Sequence, residues 1–221
     1  MPKINGLFDS FDNLDAISVE SLIPWLKNPP SLVQLEDYLG NRILYSTTLP
    51  LTDFDMKVDL AILREALRIN GPHFGQVEGP LLGNNPFLNI TLRKIMIPQR
   101  FLQYVPDLVS LTWAFVDGLL LRYKTRDLFE DLWTVVLTDD IDEIVGSVLM
   151  PRFEGSEGTM NFSLMGKDYK IQAGSLIVVS CPTSKCQITY KFSNGKILGK
   201  NMSAVEVYGG KLGLIIDGRA Q

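Results

Sequence analysis

The sequence has little of what most metal sites and paired-base active sites need. Its 221 residues include one histidine, His73, and two cysteines, Cys181 and Cys186. A single histidine excludes histidine-rich metal sites and paired-histidine mechanisms, and a cysteine pair alone does not complete a four-ligand structural zinc site. The spacing in CPTSKC matches no redox motif. The two thiols could bond across a turn between strands, but a chain without an export signal is expected to keep them reduced.

Positive charge is also scarce. Lysine and arginine number 21 against 25 aspartates and glutamates, which gives a net charge of −4. A nucleic-acid-binding protein normally has a basic excess or a basic stripe, so no nucleic-acid partner is expected. The N-terminus has no basic segment followed by an apolar core. We therefore expect no secretory signal and a cytoplasmic location.

Long apolar runs are missing as well. The most apolar stretch, residues 108–121, is too short to span a bilayer and carries Asp117, which predicts a buried helix and no transmembrane segment. Apolar residues nevertheless make up 46% of the chain, which is enough for a real core and excludes an intrinsically disordered protein.

The first part of the chain reads as helical. Ser18 or Ser21 is expected to cap a short helix, and Ser31 precedes a helical pattern that we expect to stop at Gly40. Thr52 and Asp55 have the spacing of a capping box before a helix over residues 56–70. We expect the following charged residues of that helix to face solvent: Arg64, Glu65 and Arg68. Residues 70–86 read as a loop.

The next segments predict an α/β unit. A strand over residues 90–97, a helix opened by Pro106 and a strand over 133–138 favour a parallel strand pair. After residue 150 only short β-rich segments follow, separated by turn residues, which predicts a small β-barrel or sandwich. We therefore expect a helical and α/β domain over residues 1–150 and a β domain over 151–221.

Few residues are candidates for chemistry. His73 lies in a predicted Gly/Pro loop without a local acid or nucleophile. The densest acidic cluster follows the strand 133–138, where α/β folds often place a metal or catalytic acid, but the favoured interpretation is that it begins a helix over 142–149. The cluster consists of Asp139, Asp140, Asp142 and Glu143. No glycine-rich segment has the spacing of a phosphate loop, and no hydrolase or zinc-protease motif occurs.

Several segments, in order, resemble the C-terminal half of the glutamate mutase L family. They are Trp25-Leu26, Tyr38-Leu39-Gly40-Asn41-Arg42, Thr48-Leu49-Pro50, residues 62–68 (ILREALR), residues 92–120, GSLIVVSCP at 174–182 and VEVYGGKLGLIIDGR at 205–219. The family has an actin-like, ribonuclease H-like ATPase fold and is associated with adenosylcobalamin mutases as reactivating or chaperone-like factors. The resemblance thus implies a partial actin-like domain followed by the β domain.

Two departures from the family pattern change what the resemblance implies. The family's N-terminal half, with its phosphate loop and catalytic acid, has no counterpart in this sequence. Its small-residue adenosine turn is replaced by Pro98, Gln99 and Arg100, which remove a backbone donor and add side chains where backbone should approach the ligand.

The resemblance therefore implies a lost ATPase, with no catalytic residue, cofactor or metal. The expected function is a non-catalytic interaction or scaffold subunit, whose partner is a separately encoded N-terminal half or a second copy. The alternative is half of a split ATP-dependent reactivating chaperone, with Arg100, Asp139 and Asp140 bordering a shared cleft. A third, weaker alternative is a structural component of a filament or membrane-associated machine.

Overall fold

The computed structural model describes residues 7–8, 11, 13–74, 92–120, 129–138, 142–182 and 184–219. The chain divides into two compact units that alternate along the sequence. The helical unit comprises Met1–Leu88 and Arg100–Lys124, and the β unit comprises Asn89–Gln99 and Thr125–Gln221. The boundaries of these units differ from the predicted domain boundary at residue 150, because strands on both sides of that residue pair in one sheet.

The helical unit contains four α-helices in the described part of the chain. They are α1 (Val19–Leu22), α2 (Leu32–Leu44), α3 (Asp53–Phe74) and α4 (Leu108–Leu120). Short 3-10 turns occur at Leu14–Ala16, Ile23–Trp25 and Gln99–Gln103. The predicted buried helix over the apolar stretch 108–121 thus corresponds to α4. No helix in the described residues is both long enough and apolar enough to cross a membrane.

Helix starts follow the capping signals in the sequence. Ser18 caps α1 by accepting from the Ser21 N–H, and Ser31 forms a capping box with Gln34 on α2. At α3, the Asp55 N–H donates to Thr52 Oγ1 at 3.1 Å while Asp55 Oδ2 accepts from the Thr52 N–H at 3.0 Å. Each box satisfies backbone donors that a helix start otherwise leaves unpaired.

Helix ends follow the sequence less well. The expected stop at Gly40 is wrong, because α2 continues through it to Leu44. The expected loop from residue 70 is also wrong at its start, since α3 continues through Gly71 and Pro72 to Phe74. A glycine inside a helix lowers its stability by only about 1 kcal/mol, and the other interactions of α2 and α3 exceed this cost.

The outward face predicted for α3 is wrong in part. Glu65 is buried and Arg64 is half-buried. Both side chains have polar partners inside the helical unit, Trp25 and Arg68 for Glu65 and Asp117 for Arg64. A buried charge is tolerated only when it is paired and hydrogen-bonded, and these contacts meet that condition.

The β unit contains a mixed five-stranded sheet in the order β1-β2-β3-β11-β7. Its strands are β1 (Leu92–Pro98), β2 (Phe129–Thr138), β3 (Glu143–Leu149), β7 (Leu176–Val179) and β11 (Gly213–Asp217). The predicted parallel pair is confirmed, because β1 pairs parallel with β2. The predicted helix over 142–149 is wrong: this segment is β3, which pairs antiparallel with β2 and parallel with β11.

The second sheet is antiparallel, in the order β10-β8-β5-β6. Its strands are β5 (Thr159–Leu164), β6 (Lys167–Gln172), β8 (Cys186–Phe192) and β10 (Met202–Val207), and a separate pair joins β4 (Arg152–Phe153) to β9 (Gly195–Lys196). The β segments predicted after residue 150 are confirmed. One hydrophobic core takes side chains from both large sheets, among them Leu214 of β11 and Ile188 of β8. The barrel alternative is not supported, since no sheet closes on itself in the described residues.

The two cysteines are joined. Cys181 follows β7 and Cys186 begins β8, and the structure places a disulfide between them. The expectation of free thiols therefore differs from the structure. The physical reason is geometric, because Cys181 follows β7 and Cys186 begins β8 in the same unit, with only four residues between them in the sequence.

Candidate functional site

The residues that replace the predicted adenosine turn lie at the end of strand β1 and directly after it. Pro98 ends β1 and is the register partner of Thr138, which ends β2. Gln99 and Arg100 follow in an exposed 3-10 turn, where the Arg100 guanidinium lies 5.5 Å from the ring centre of its neighbour Phe101. Asp139 and Asp140, which follow Thr138 in the sequence, lie outside the described residues.

The other sequence candidates do not form a site. Asp142 is exposed, and Glu143 forms an ion pair with Lys211 at 2.8 Å on the surface. His73 belongs to helix α3 and not to the predicted loop. The structure does not describe its side chain. In the part of the chain that the structure describes, no group of three or more His, Cys, Asp or Glu side chains is arranged to hold a metal ion.

A buried charge network that was not predicted from the sequence lies between α2 and α3. Asp59 is completely buried, and Arg42 donates to it from Nε at 2.7 Å and also from Nη2. The Tyr38 hydroxyl lies 3.0 Å from Asp59 Oδ1, and Arg42 Nη1 donates to the Thr48 carbonyl. Two parallel hydrogen bonds between a guanidinium and a carboxylate form the strongest type of protein ion pair. This network joins α2, α3 and the loop between them.

A second network lies further along α3. Trp25 Nε1 donates to Glu65 Oε1 at 3.0 Å, and Arg68 Nε donates to Glu65 Oε2 at 2.7 Å. Arg64, the residue before Glu65, donates from Nε to Asp117 Oδ2 of α4 at 2.9 Å, and its guanidinium lies 5.3 Å from the Trp25 ring centre. These contacts connect α3 to the 3-10 turn Ile23–Trp25 and to α4.

The environment shifts the pKa values of these groups. Burial, together with the charge of Asp59, raises the pKa of the Tyr38 hydroxyl well above its usual range. Burial alone would lower the pKa of Arg42, but its hydrogen bond to Asp59 outweighs this and raises it. Burial alone would raise the pKa of Glu65, but hydrogen bonds from Arg68 and Trp25 hold it below its usual value. These side chains are therefore suited to structural pairing rather than to proton transfer.

An open groove of about 280 Å³ lies over the first network. We call it the α2–α3 groove, and it is lined by Tyr38, Asn41, Arg42, Tyr45, Thr48, Leu49, Pro50, Leu51 and Asp55. Tyr45 is 63% exposed and Leu51 is 90% exposed, and Leu44, which precedes Tyr45 in the sequence, is 74% exposed. The donors of Arg42 are directed to Asp59 and Thr48, so the groove presents mainly apolar surface.

A signal for the missed network was present in the sequence. Asp59 precedes Ile62 and Leu63 by three and four residues, which places it on the apolar face of α3. A carboxylate on a buried helix face requires a cation from another element. The periodicity alone does not say which arginine supplies it.

Comparison with known proteins found no relative of this chain. No family model, no curated protein and no solved structure matches it. The molecule combines a helical unit that contains buried ion pairs with a β unit built from open sheets.

Proposed function

We propose that this protein is a non-catalytic protein-interaction or scaffold subunit that binds its partner through the α2–α3 groove. The observation that carries the proposal is the exposure of Leu49 and Leu51 in one groove, together with that of Leu44, which precedes the groove residue Tyr45 in the sequence. Clustered apolar side chains on a surface are typical of interaction sites.

The energetics of this surface favour a partner. Full burial of a leucine side chain contributes roughly 2 kcal/mol, so three exposed leucines leave a large driving force for association. The buried network beneath them keeps the groove in shape, because Arg42 bridges Asp59 on α3 and the Thr48 carbonyl in the loop. A preformed surface binds with a smaller entropic cost than a flexible one.

The partner that suits this surface is a protein that inserts apolar side chains into the groove. In our proposal the chain derives from the C-terminal half of a protein like those of the glutamate mutase L family. The partner is then either a separately encoded N-terminal half or a second copy of the chain. The actin-like relationship is part of the proposal and is supported by the order of the resembling segments.

The test is a comparison of association by the wild type and the double variant L49D/L51D. Sedimentation velocity measures self-association of the purified chain, and co-purification from the native source measures a complex of fixed stoichiometry. We expect one discrete complex for the wild type. The two aspartates should weaken it roughly thirtyfold or more, as for central interface residues.

The matched control is V33D. Val33 is 64% exposed on the first turn of α2 and does not line the groove. It lies eleven residues before Leu44, or about 16 Å along the helix axis. The control should keep full association. A strictly monomeric wild type without a stoichiometric partner would contradict the proposal, as would equal loss in V33D.

A split ATPase is the alternative proposal. It is favoured by the register of Pro98 with Thr138, which brings the ends of β1 and β2 together where the cleft residues were predicted. Calorimetric titration with Mg-ATP, first of the chain alone and then of the chain with its partner, separates the alternatives. Tight binding that R100Q abolishes would favour the enzyme over the scaffold.

The filament proposal has its own test. Electron microscopy of concentrated protein would show extended polymers if the chain is a structural component. Discrete particles would favour the scaffold proposal.

A further inference from the structure

The outer face of the four-stranded sheet carries an open groove with polar side chains along its middle strands. Along β5 and β8 the side chains alternate strictly, with apolar residues in the core and polar residues outside. The outer side chains form an open groove of about 580 Å³ that crosses the four strands. Asn161, Ser163 and Thr189 lie at its centre, where short side chains of the two middle strands leave room for a ligand.

One row across this face is cationic. Lys170 on β6 and Lys191 on β8 are both register partners of Asn161 on β5. Directly opposed residues on neighbouring strands have Cβ atoms about 5 Å apart, so both ammonium groups reach the space over Asn161. Both lysines are exposed, and neither has an ion-pair partner among the described residues. Two unpaired cations beside one amide donor form a suitable environment for a single anionic group.

The next row on the same face is hydroxylic. Ser163 on β5 is the register partner of Asp168 on β6 and of Thr189 on β8. The Ser163 hydroxyl donates to Asp168 Oδ1, which leaves the second carboxylate oxygen available as an acceptor. The Thr189 hydroxyl is exposed at the centre of the groove. This row offers acceptors and hydroxyl donors but no cation, so it suits the hydroxyl groups of a ligand.

We propose that this groove binds an anionic polyol, with its phosphate or carboxylate over the Lys170–Asn161–Lys191 row and its hydroxyls over the Asp168–Ser163–Thr189 row. Residues two apart along a strand are separated by about 7 Å. That distance matches the span from the phosphate of a sugar phosphate to the hydroxyls across its ring. The site is independent of the α2–α3 groove, which lies in the other unit.

The charge distribution favours one anionic group rather than a polyanion. The row of two lysines is followed at once by Asp168, and the chain carries a net charge of −4. A polymer of phosphates would therefore meet repulsion next to the cationic row. The same chemistry occurs in a free sugar phosphate and in a phosphoinositol lipid headgroup, and the experiment distinguishes these two sources.

The experiment is a calorimetric titration of the full chain with glucose 6-phosphate, glucose and inorganic phosphate. We expect saturable binding of glucose 6-phosphate, weaker binding of phosphate and none of glucose. K170Q/K191Q should weaken glucose 6-phosphate binding roughly tenfold or more, because both charge-assisted contacts are lost. T189V keeps the shape and β-propensity of the side chain and should weaken glucose 6-phosphate roughly threefold without changing phosphate binding.

The control for net charge is K27Q/K57Q, which removes two exposed lysines of the helical unit and should leave binding unchanged. Circular dichroism confirms that each variant is folded. Sedimentation with vesicles of phosphatidylinositol in phosphatidylcholine, against phosphatidylcholine alone, tests the lipid source, and selective binding lost in K170Q/K191Q supports the site. The proposal is overturned if neither the sugar phosphate nor the vesicles bind, if the control loses binding equally, or if T189V has no effect on any probe that binds.

Discussion

Arg42 and Asp59 show how single residues hold the helical unit together. Each is almost fully buried, and each satisfies the other through two hydrogen bonds. Burying two charges costs as much as their attraction returns, so such a pair is more important for specifying geometry than for net stability. In this protein the specified geometry is the position of the loop that carries Thr48 and Leu49.

Removing only one member of this pair should be costly. We expect D59N to lower the free energy of unfolding by roughly 3 kcal/mol, because the Arg42 guanidinium stays buried without its countercharge. R42M/D59L should cost less than D59N, since no charge remains buried. Urea unfolding of the wild type and the two variants measures both effects. A loss in R42M/D59L as large as that in D59N, or larger, would contradict this expectation.

Glu65 should make stability depend on pH. Its pKa in the folded state lies below the usual value of 4.5, so the ionised form stabilises the fold above that value and the contribution is lost as the pH falls through the folded pKa. We expect E65Q to be less stable than the wild type by roughly 1.5 kcal/mol at pH 7 and the difference to shrink below pH 4.5. Urea unfolding across this pH range tests it.

The exposed Glu36 of α2 is the matched control for this pH dependence. E36Q should change the stability by no more than about 0.5 kcal/mol at any pH, as is usual for surface substitutions. A pH-independent deficit in E65Q would show that the carboxylate charge plays no part.

How closely a helix can pack against its neighbours depends on where its glycines lie. A Cβ added at Gly40 of α2 would meet nothing within 4 Å, whereas one at Gly118 of α4 would lie 2.6 Å from Leu67 Cβ and 2.9 Å from the Arg64 carbonyl oxygen. Gly118 therefore permits the close packing of α3 against α4. Both residues look alike in the sequence, and only the packing distinguishes them.

The two glycines should respond to alanine with opposite signs. We expect G40A to raise the free energy of unfolding by about 0.5–1 kcal/mol, because alanine favours a helix more than glycine does. G118A should lower it by about 1–3 kcal/mol through overpacking. Thermal unfolding of both variants gives the comparison, and two shifts of the same sign would contradict the packing described for α3 and α4.

In the whole molecule, each unit is built from segments that are separated in the sequence. The last strand, β11, lies between β3 and β7 and pairs parallel with β3, whose Gly146 is the register partner of Gly213. Such pairings join residues far apart in sequence and carry a large loop-closure cost. The β unit is therefore complete only when segments from both sides of residue 150 are present.

Fragments should show this interdependence. We expect a fragment of residues 151–221 to be unfolded, because it lacks β3 and the core residue Leu149. A fragment of residues 125–221 retains β2 to β11 and should fold. Two-dimensional ¹H–¹⁵N NMR spectra of both fragments test the expectation. A well-dispersed spectrum for 151–221 would instead support a boundary near residue 150.

Local structure was predictable from the sequence wherever a residue's own chemistry decides it. Ser31, Thr52 and Asp55 start their helices because their side chains accept from nearby backbone N–H groups, and β5 and β8 follow directly from their alternation. The parallel pairing of β1 and β2 was also predictable from the order of elements.

The other features depend on contacts between distant segments. The sequence predicts a helix over residues 142–149 begun by the acidic cluster, but pairing on both sides with β2 and β11 makes residues 143–149 a strand. Asp59 and Glu65 find their partners on other elements, so their burial depends on distances that no local pattern contains. For residues other than proline, helix and strand propensities differ by about 1 kcal/mol per residue at most, and burial with ladder hydrogen bonds exceeds that difference. For the same reason both grooves, each lined by residues from more than one element, became visible only in the folded molecule.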